Sequence, residues 1–148
     1  MHMLKKILVP VDGSEVAKRC LDFAMGVAKV SGGELLVVHV AIPYDFTKVP
    51  PRKPKNAIEE AEMAAKAPEP TPLDIAEAYL KQAGFDRATY RTIVDIDPAE
   101  RIVEYGKTMD AGMIVIGNRG MGHWAQLLMG SVSSKVAQTA ECPVVIIK

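Results

Sequence analysis

Leu35-Leu36-Val37-Val38-His39-Val40 is almost continuously apolar, and Gly32-Gly33 punctuates the chain just before it. A strand with one wet face alternates apolar and polar residues, so a run that barely alternates marks a strand covered on both faces. Covering both faces takes helices on either side, and the sequence outward of this run supplies them. Upstream, residues 5–11 read as a first strand, and Asp12-Gly13-Ser14 as a turn whose serine can cap a helix. Ala17, Cys20, Leu21, Ala24, Val27 and Ala28 then recur at helical spacing from Glu15 to about Ser31, where Gly32-Gly33 ends the helix. Downstream, Thr71-Pro72-Leu73-Asp74 offers a cap, a first-turn proline and an acid at the third helical position, opening a helix to Ala83. Ala88–Val94 reads as a third strand, and Asp97-Pro98-Ala99-Glu100 opens a helix to about Thr108. Residues 112–116 form a fourth strand, a helix follows from Ser131 to about Thr139, and Val144–Ile147 is a fifth strand.

Strands of buried type alternating with helices imply an α/β fold, with a parallel sheet wound by right-handed crossovers and helices on both faces. Such sheets take ligands beyond the carboxyl ends of their strands, where the strand order reverses. In a five-stranded sheet of order 3-2-1-4-5 the first and fourth strands flank that reversal. The loops after them, residues 10–14 and 117–131, are therefore expected to meet.

The region from Ile42 to about Pro72 breaks the pattern. It holds Pro43, Pro50, Pro51, Pro54, Pro68 and Pro70 around an Ala/Glu-rich stretch from Asn56 to Ala67. The reading is an insertion made of a mobile loop, a short exposed helix and a second loop, within one domain covering residues 1–148. That length suits one domain with a real core.

Eighteen Lys and Arg balance eighteen Asp and Glu, so no net field favours nucleic acid or an anionic membrane. No apolar run approaches the ~18–20 residues needed to span a bilayer, and the apolar opening, broken at Asp12, is too short for a secretory signal. Cys20 and Cys142 are isolated and lack metal-ligand spacing. Buried free thiols are expected, in keeping with a reducing, cytoplasmic location.

The stretch with chemistry in it is Gly117-Asn118-Arg119-Gly120-Met121-Gly122, directly after the fourth strand, with Gly130-Ser131 opening the next helix. Glycines let backbone N–H groups approach an anion, and a helix start adds unpaired donors and the positive end of its dipole. Ser131 can give a hydroxyl to a phosphate oxygen, and the amides of Val132 and Ser133 follow. Arg119 reads equally as a charge-assisted donor or a solvated loop residue. Asp12 also has two readings, a turn aspartate bonding its own backbone or a ligand group at the end of the central strand.

Gly117, Gly120, Gly130 and Ser131 fit a spacing of Gly, two residues, Gly, nine residues, Gly-Ser, and here the chain resembles the ATP-binding branch of the universal stress protein family. The resemblance extends to residues 7–14, to His39-Val40, to Asp97-Pro98-Ala99-Glu100 and to Cys142-Pro143-Val144-Val145-Ile146-Ile147, leaving the proline-rich middle unmatched. It implies a Rossmann-like fold of the adenine nucleotide alpha hydrolase type. It also implies ATP as ligand, with Mg²⁺ or Mn²⁺ held mainly by the phosphates. Pro10, Val11 and Asp12 would border adenine and ribose, and Val40 would wall the base. Gly117 and Gly120 would pass close to ribose and phosphates, while Gly130, Ser131 and Val132 would hold the phosphates. The resemblance also suggests a homodimer through antiparallel pairing of Val144–Ile147, whose apolar edge invites a partner strand. Ile96 departs from the pattern, standing where relatives often have Gly before Asp-Pro, and so does the bulky pair His123-Trp124.

The function expected is an ATP-binding stress-response regulator with at most slow hydrolysis, since no base for an attacking water is evident. Slow ATP hydrolysis or self-phosphorylation at Ser131 is the enzymatic alternative, and an interaction module without nucleotide is the other. Gly106-Lys107-Thr108 mimics the end of a P-loop, but Arg101 occupies the place of its leading glycine. Gly120-x-Gly122-x-x-Ala125 matches a dinucleotide fingerprint by spacing alone, with no later strand ending in an acid for the ribose. His39 and His123 have no partner at metal or catalytic spacing and read as structural.

Overall fold

The protein is described by a computed structural model in which residues 4–43, 53–65, 69–118 and 131–148 are placed. Strand β1 (Lys6–Pro10) leads through Ser14 into helix α1 (Glu15–Ser31), and strand β2 (Glu34–Ala41) follows. Helices α2 (Ala57–Ala65) and α3 (Pro72–Gln82) precede strand β3 (Ala88–Val94). Helix α4 (Pro98–Thr108), strand β4 (Met113–Gly117), helix α5 (Ser131–Thr139) and strand β5 (Val144–Ile147) complete the order. All strand pairs are parallel, as the alternation predicts, and the sheet runs in the expected order β3-β2-β1-β4-β5.

The two faces carry separate cores. On one, Ile7, Val9, Leu35, Val37 and Val115 meet Cys20, Leu21 and Ala24 of α1 and Leu80 of α3. On the other, Leu8, Leu36, Val38, Ile114 and Ile116 meet Ile102 of α4 with Val132 and Val136 of α5. Adjacent residues of one strand point to opposite faces, which is why the buried stretches of β1, β2 and β4, residues 7–10, 35–40 and 114–116, are apolar but for His39. Edge strand β3 instead alternates, burying Ile93 while Arg91, Thr92 and Val94 stay exposed.

Local chemistry sets the joints. Gly32 takes φ 72° as the left-handed cap of α1, and a Cβ on Gly33 would sit 2.2 Å from the Leu4 carbonyl oxygen. Arg87, just before β3, donates to the carbonyls of Gly33 at 3.0 Å and Ala28 at 3.1 Å, fastening that helix end to the sheet. Thr71 and Asp74 form a reciprocal capping box on α3. Gly106, in the false P-loop tripeptide, lies in α4 where a Cβ would come within 3.2 Å of Leu8 and 3.6 Å of Ile114, so its smallness serves packing. Helix α2 buries none of its residues. Its start is nonetheless capped, as Glu59 N donates to Asn56 Oδ1 at 2.8 Å and Lys55 N to Glu59 Oε2 at 2.6 Å. No helix among the described residues is long and apolar enough to cross a membrane.

Candidate functional site

Beyond the carboxyl end of β1 the chain keeps pairing for one residue, with Val11 N donating to Val38 O at 2.8 Å. His39 lies buried in β2 with Nδ1 2.8 Å from the Val11 carbonyl oxygen. A carbonyl only accepts, so Nδ1 carries the proton in this contact. Val11 is thus held at both its amide and its carbonyl, and Asp12 leaves from a fixed point.

Asp12 turns inward and is only 4% exposed. Its Oδ1 accepts from Ser14 N at 3.0 Å, while Ser14 Oγ accepts from Ala17 N at 3.3 Å and caps α1. Gly13 adopts φ 84°, backed by Pro72 and Ile75 of α3. The turn reading of Asp12 therefore holds for one carboxylate oxygen. The other, Oδ2, is buried and receives no hydrogen bond among the described residues. A buried acceptor without a donor bears its full desolvation cost, about 1–3 kcal/mol and more when charged.

On the other side of the reversal, Gly117 belongs to β4 and pairs with Ile147, so the glycine loop starts one residue later than the sequence suggests. A Cβ on Gly117 would stand 2.7 Å from Cγ1 of Val16 and 3.8 Å from Sγ of Cys20, which gives this glycine a packing reason of its own. Asn118 N donates to Ile147 O at 2.7 Å, and Ser133 Oγ donates to Asn118 O at 3.5 Å, tying the exit of β4 to the first turn of α5. Ser131, the first residue of α5, is half-buried, and Val132 and Ser133 are buried. The first turns of α1, α3 and α4 contain Glu15, Asp74 and Glu100, whereas that of α5 contains no acid. Its first turn therefore offers no carboxylate of its own to compete with an anion for the dipole end. Arg119, Gly120 and Gly130, with His123 and Trp124, lie outside the described residues.

The structure thus sets Pro10, Val11 and Asp12 on one side of the reversal and Gly117, Ser131 and Val132 on the other. Cys20 lies between the two sides, its thiol pushed up to about 12 by burial and by the nearby Asp12 charge. Val40 ends β2 fully buried in the core beneath α4 and α5. Among the described residues no group of His, Cys, Asp and Glu is placed to hold a metal ion. Sequence reasoning missed the grip of His39 on Val11. The parallel register that sets Pro10 opposite Val38 was the signal for it, since the next residue of each strand is Val11 and His39. It also missed that Asp97, at the start of α4, accepts a hydrogen bond from Lys135 of α5. That contact joins two segments whose spacing in sequence carries no hint of proximity.

Residues 3–148 match the family described as the universal stress protein family. A curated universal stress protein from Thermus aquaticus is 35% identical over 99% of this chain and 100% of its own length. The universal stress protein of Archaeoglobus fulgidus in complex with dAMP superposes with a TM-score of 0.65 at 29% identity, covering 97% of each chain. A universal stress protein in complex with cAMP gives 0.66 at 26% identity, over 96% of this chain and 94% of that one. With the profile matched almost end to end and the sheet order shared, this chain belongs to the universal stress protein family.

Proposed function

We propose that this protein is a nucleotide-binding regulator that takes ATP in the cleft beyond β1 and β4, with at most slow hydrolysis. The observation that carries the reading is the Asp12 carboxylate. One oxygen is spent on the turn, and the other is buried at the reversal of strand order without a donor among the described residues. A ribose hydroxyl supplies the missing donor, and a charge-assisted bond of that kind stabilises by about 1.5–3 kcal/mol. The acid-free start of α5 suits phosphate, with Ser131 and the amides of Val132 and Ser133 as its donors. Structural neighbours solved with dAMP and cAMP support an adenine nucleotide as the ligand. Mg²⁺ or Mn²⁺ would ride on the phosphate oxygens. Slow turnover fits the role of Asp12, whose carboxylate is spent on the turn and the ribose.

Calorimetric titration of nucleotide-stripped protein with Mg-ATP tests this. Micromolar binding is expected, weakened about tenfold or more by Asp12→Asn, which keeps the turn acceptor and replaces the free oxygen by a donor. Gly130→Val is expected to abolish it, placing a branched side chain where phosphate meets the helix start. Absence of binding by the unaltered protein would sink the nucleotide reading and favour an interaction module.

A further inference from the structure

Lys135 lies one turn into α5, four residues after Ser131 and therefore on the same helix face. Side chains of a helix lean toward its N-terminus, and four residues rise only about 6 Å, so an extended lysine reaches the level of Ser131. In this structure the ammonium is turned aside to Oδ2 of Asp97, which caps α4 through Oδ1 and the amide of Glu100. Lys135 and Asp97 are both partly exposed, with side-chain exposures of 47% and 34%. The contact lowers the Asp97 carboxyl, with the Lys135 hydrogen bond as the leading cause, and raises Lys135 in turn. Glu100 is the other acid acting on Lys135. A solvent-screened pair of single charges is a weak hold, and a polyphosphate at the end of α5 offers the ammonium several charges at once.

We infer that Lys135 is a phosphate contact held in reserve by Asp97, transferring from that carboxylate to the outer phosphates when a nucleoside triphosphate docks at α5. The inference rests on the nucleotide reading above and deepens it. The start of α5 holds the first phosphate with the Ser131 hydroxyl and backbone amides, whereas Lys135 rewards only a longer phosphate chain. Lys135 is accordingly the residue that separates ATP from AMP. Asp97 sets how much of that preference is realised, because every triphosphate must first outbid it.

Two substitutions pull the ratio of ATP to AMP affinity in opposite directions. Lys135→Met keeps the aliphatic stem and is expected to weaken Mg-ATP about tenfold while leaving AMP within about twofold. Asp97→Asn keeps a good helix cap while removing the charge, and is expected to tighten Mg-ATP by about two- to fivefold with AMP unchanged. Both ligands are titrated calorimetrically against the full chain, and melting temperature is recorded for each variant. An ATP:AMP ratio unchanged in both variants, with lowered melting temperatures, overturns the inference and leaves the pair as a brace between α4 and α5. Failure of the unaltered protein to bind either nucleotide overturns the underlying reading as well. The two failures are told apart by that control.

Discussion

At the scale of single residues, what stands at a position is often decided by a neighbour remote in sequence. Gly117 reads in the sequence as part of a phosphate loop, yet the space its side chain would fill is taken by Val16 of α1 at 2.7 Å. Gly117→Ala is expected to destabilise the fold by about 1–3 kcal/mol, as overpacked sites do. Adding Val16→Ala should recover much of the loss, a coupling that urea denaturation of both single variants and the double variant would measure. Additivity of the two losses would show that the contact does not limit this position. Asp12 had two readings in the sequence because Asp-Gly-Ser is turn chemistry whatever else it does. The structure resolves the ambiguity by dividing the side chain, with Oδ1 in the turn and Oδ2 buried behind it. His39 was legible as a buried strand histidine, but its bond to Val11 depends on a register that composition does not carry.

At the scale of elements, period and punctuation were enough to find every core element. Helix α1 spans Glu15–Ser31 and strand β3 spans Ala88–Val94, both as the spacing predicts, because caps, prolines and glycines mark their ends. The differences fall where ladder bonds decide. Strand β2 takes in two residues that the apolar run leaves out, Glu34 opposite Lys6 and Ala41 opposite Val94, and β4 takes in Gly117 opposite Ile147 while leaving out Gly112. The Ala/Glu-rich stretch was expected to be helical from Asn56 to Ala67, and α2 spans Ala57–Ala65 with Asn56 at its start, while residues 66–68 lie outside those described. Propensity and capping alone sustain this helix, with Ile58 at 73% exposure. Ile58→Ser is therefore expected to change stability by no more than about 0.5 kcal/mol, the range of ordinary surface substitutions. Leu80→Ala, at a fully buried position of α3, should cost about 2–5 kcal/mol. Thermal unfolding of the two variants side by side checks the contrast, and a large loss at Ile58 would show that α2 packs against the body of the protein.

At the scale of the whole molecule, the parallel α/β architecture was legible from alternation, whereas the order 3-2-1-4-5, which the structure has, was one of the few windings that right-handed crossovers allow. The location of the candidate site followed from the same rule, but its phosphate half rests on a glycine loop whose path sequence spacing does not give. The proposed homodimer belongs to this scale too. Strand β5 pairs with β4 on one side, its other side is the sheet edge, and Ile146 is 41% exposed there. Multi-angle light scattering at micromolar concentration is expected to give a dimer mass, and Ile146→Lys a monomer, because a charge on an open edge opposes strand addition. A monomeric unaltered protein would remove this interface.

The sheet order also bears on how the chain comes into being. β1 leaves the ribosome before the other four strands, yet it is central, and Ile7 meets its β4 partner Met113 about a hundred residues later. At synthesis rates of about 5–20 residues per second, one flank of β1 waits about 5–20 s for its partner. Throughout that interval the nascent chain carries an open, apolar strand edge of the kind that recruits stray strands. The half of the proposed nucleotide cleft built by Asp12 therefore exists long before the half built by α5, and on that proposal a nucleotide binds only once α5 has been made.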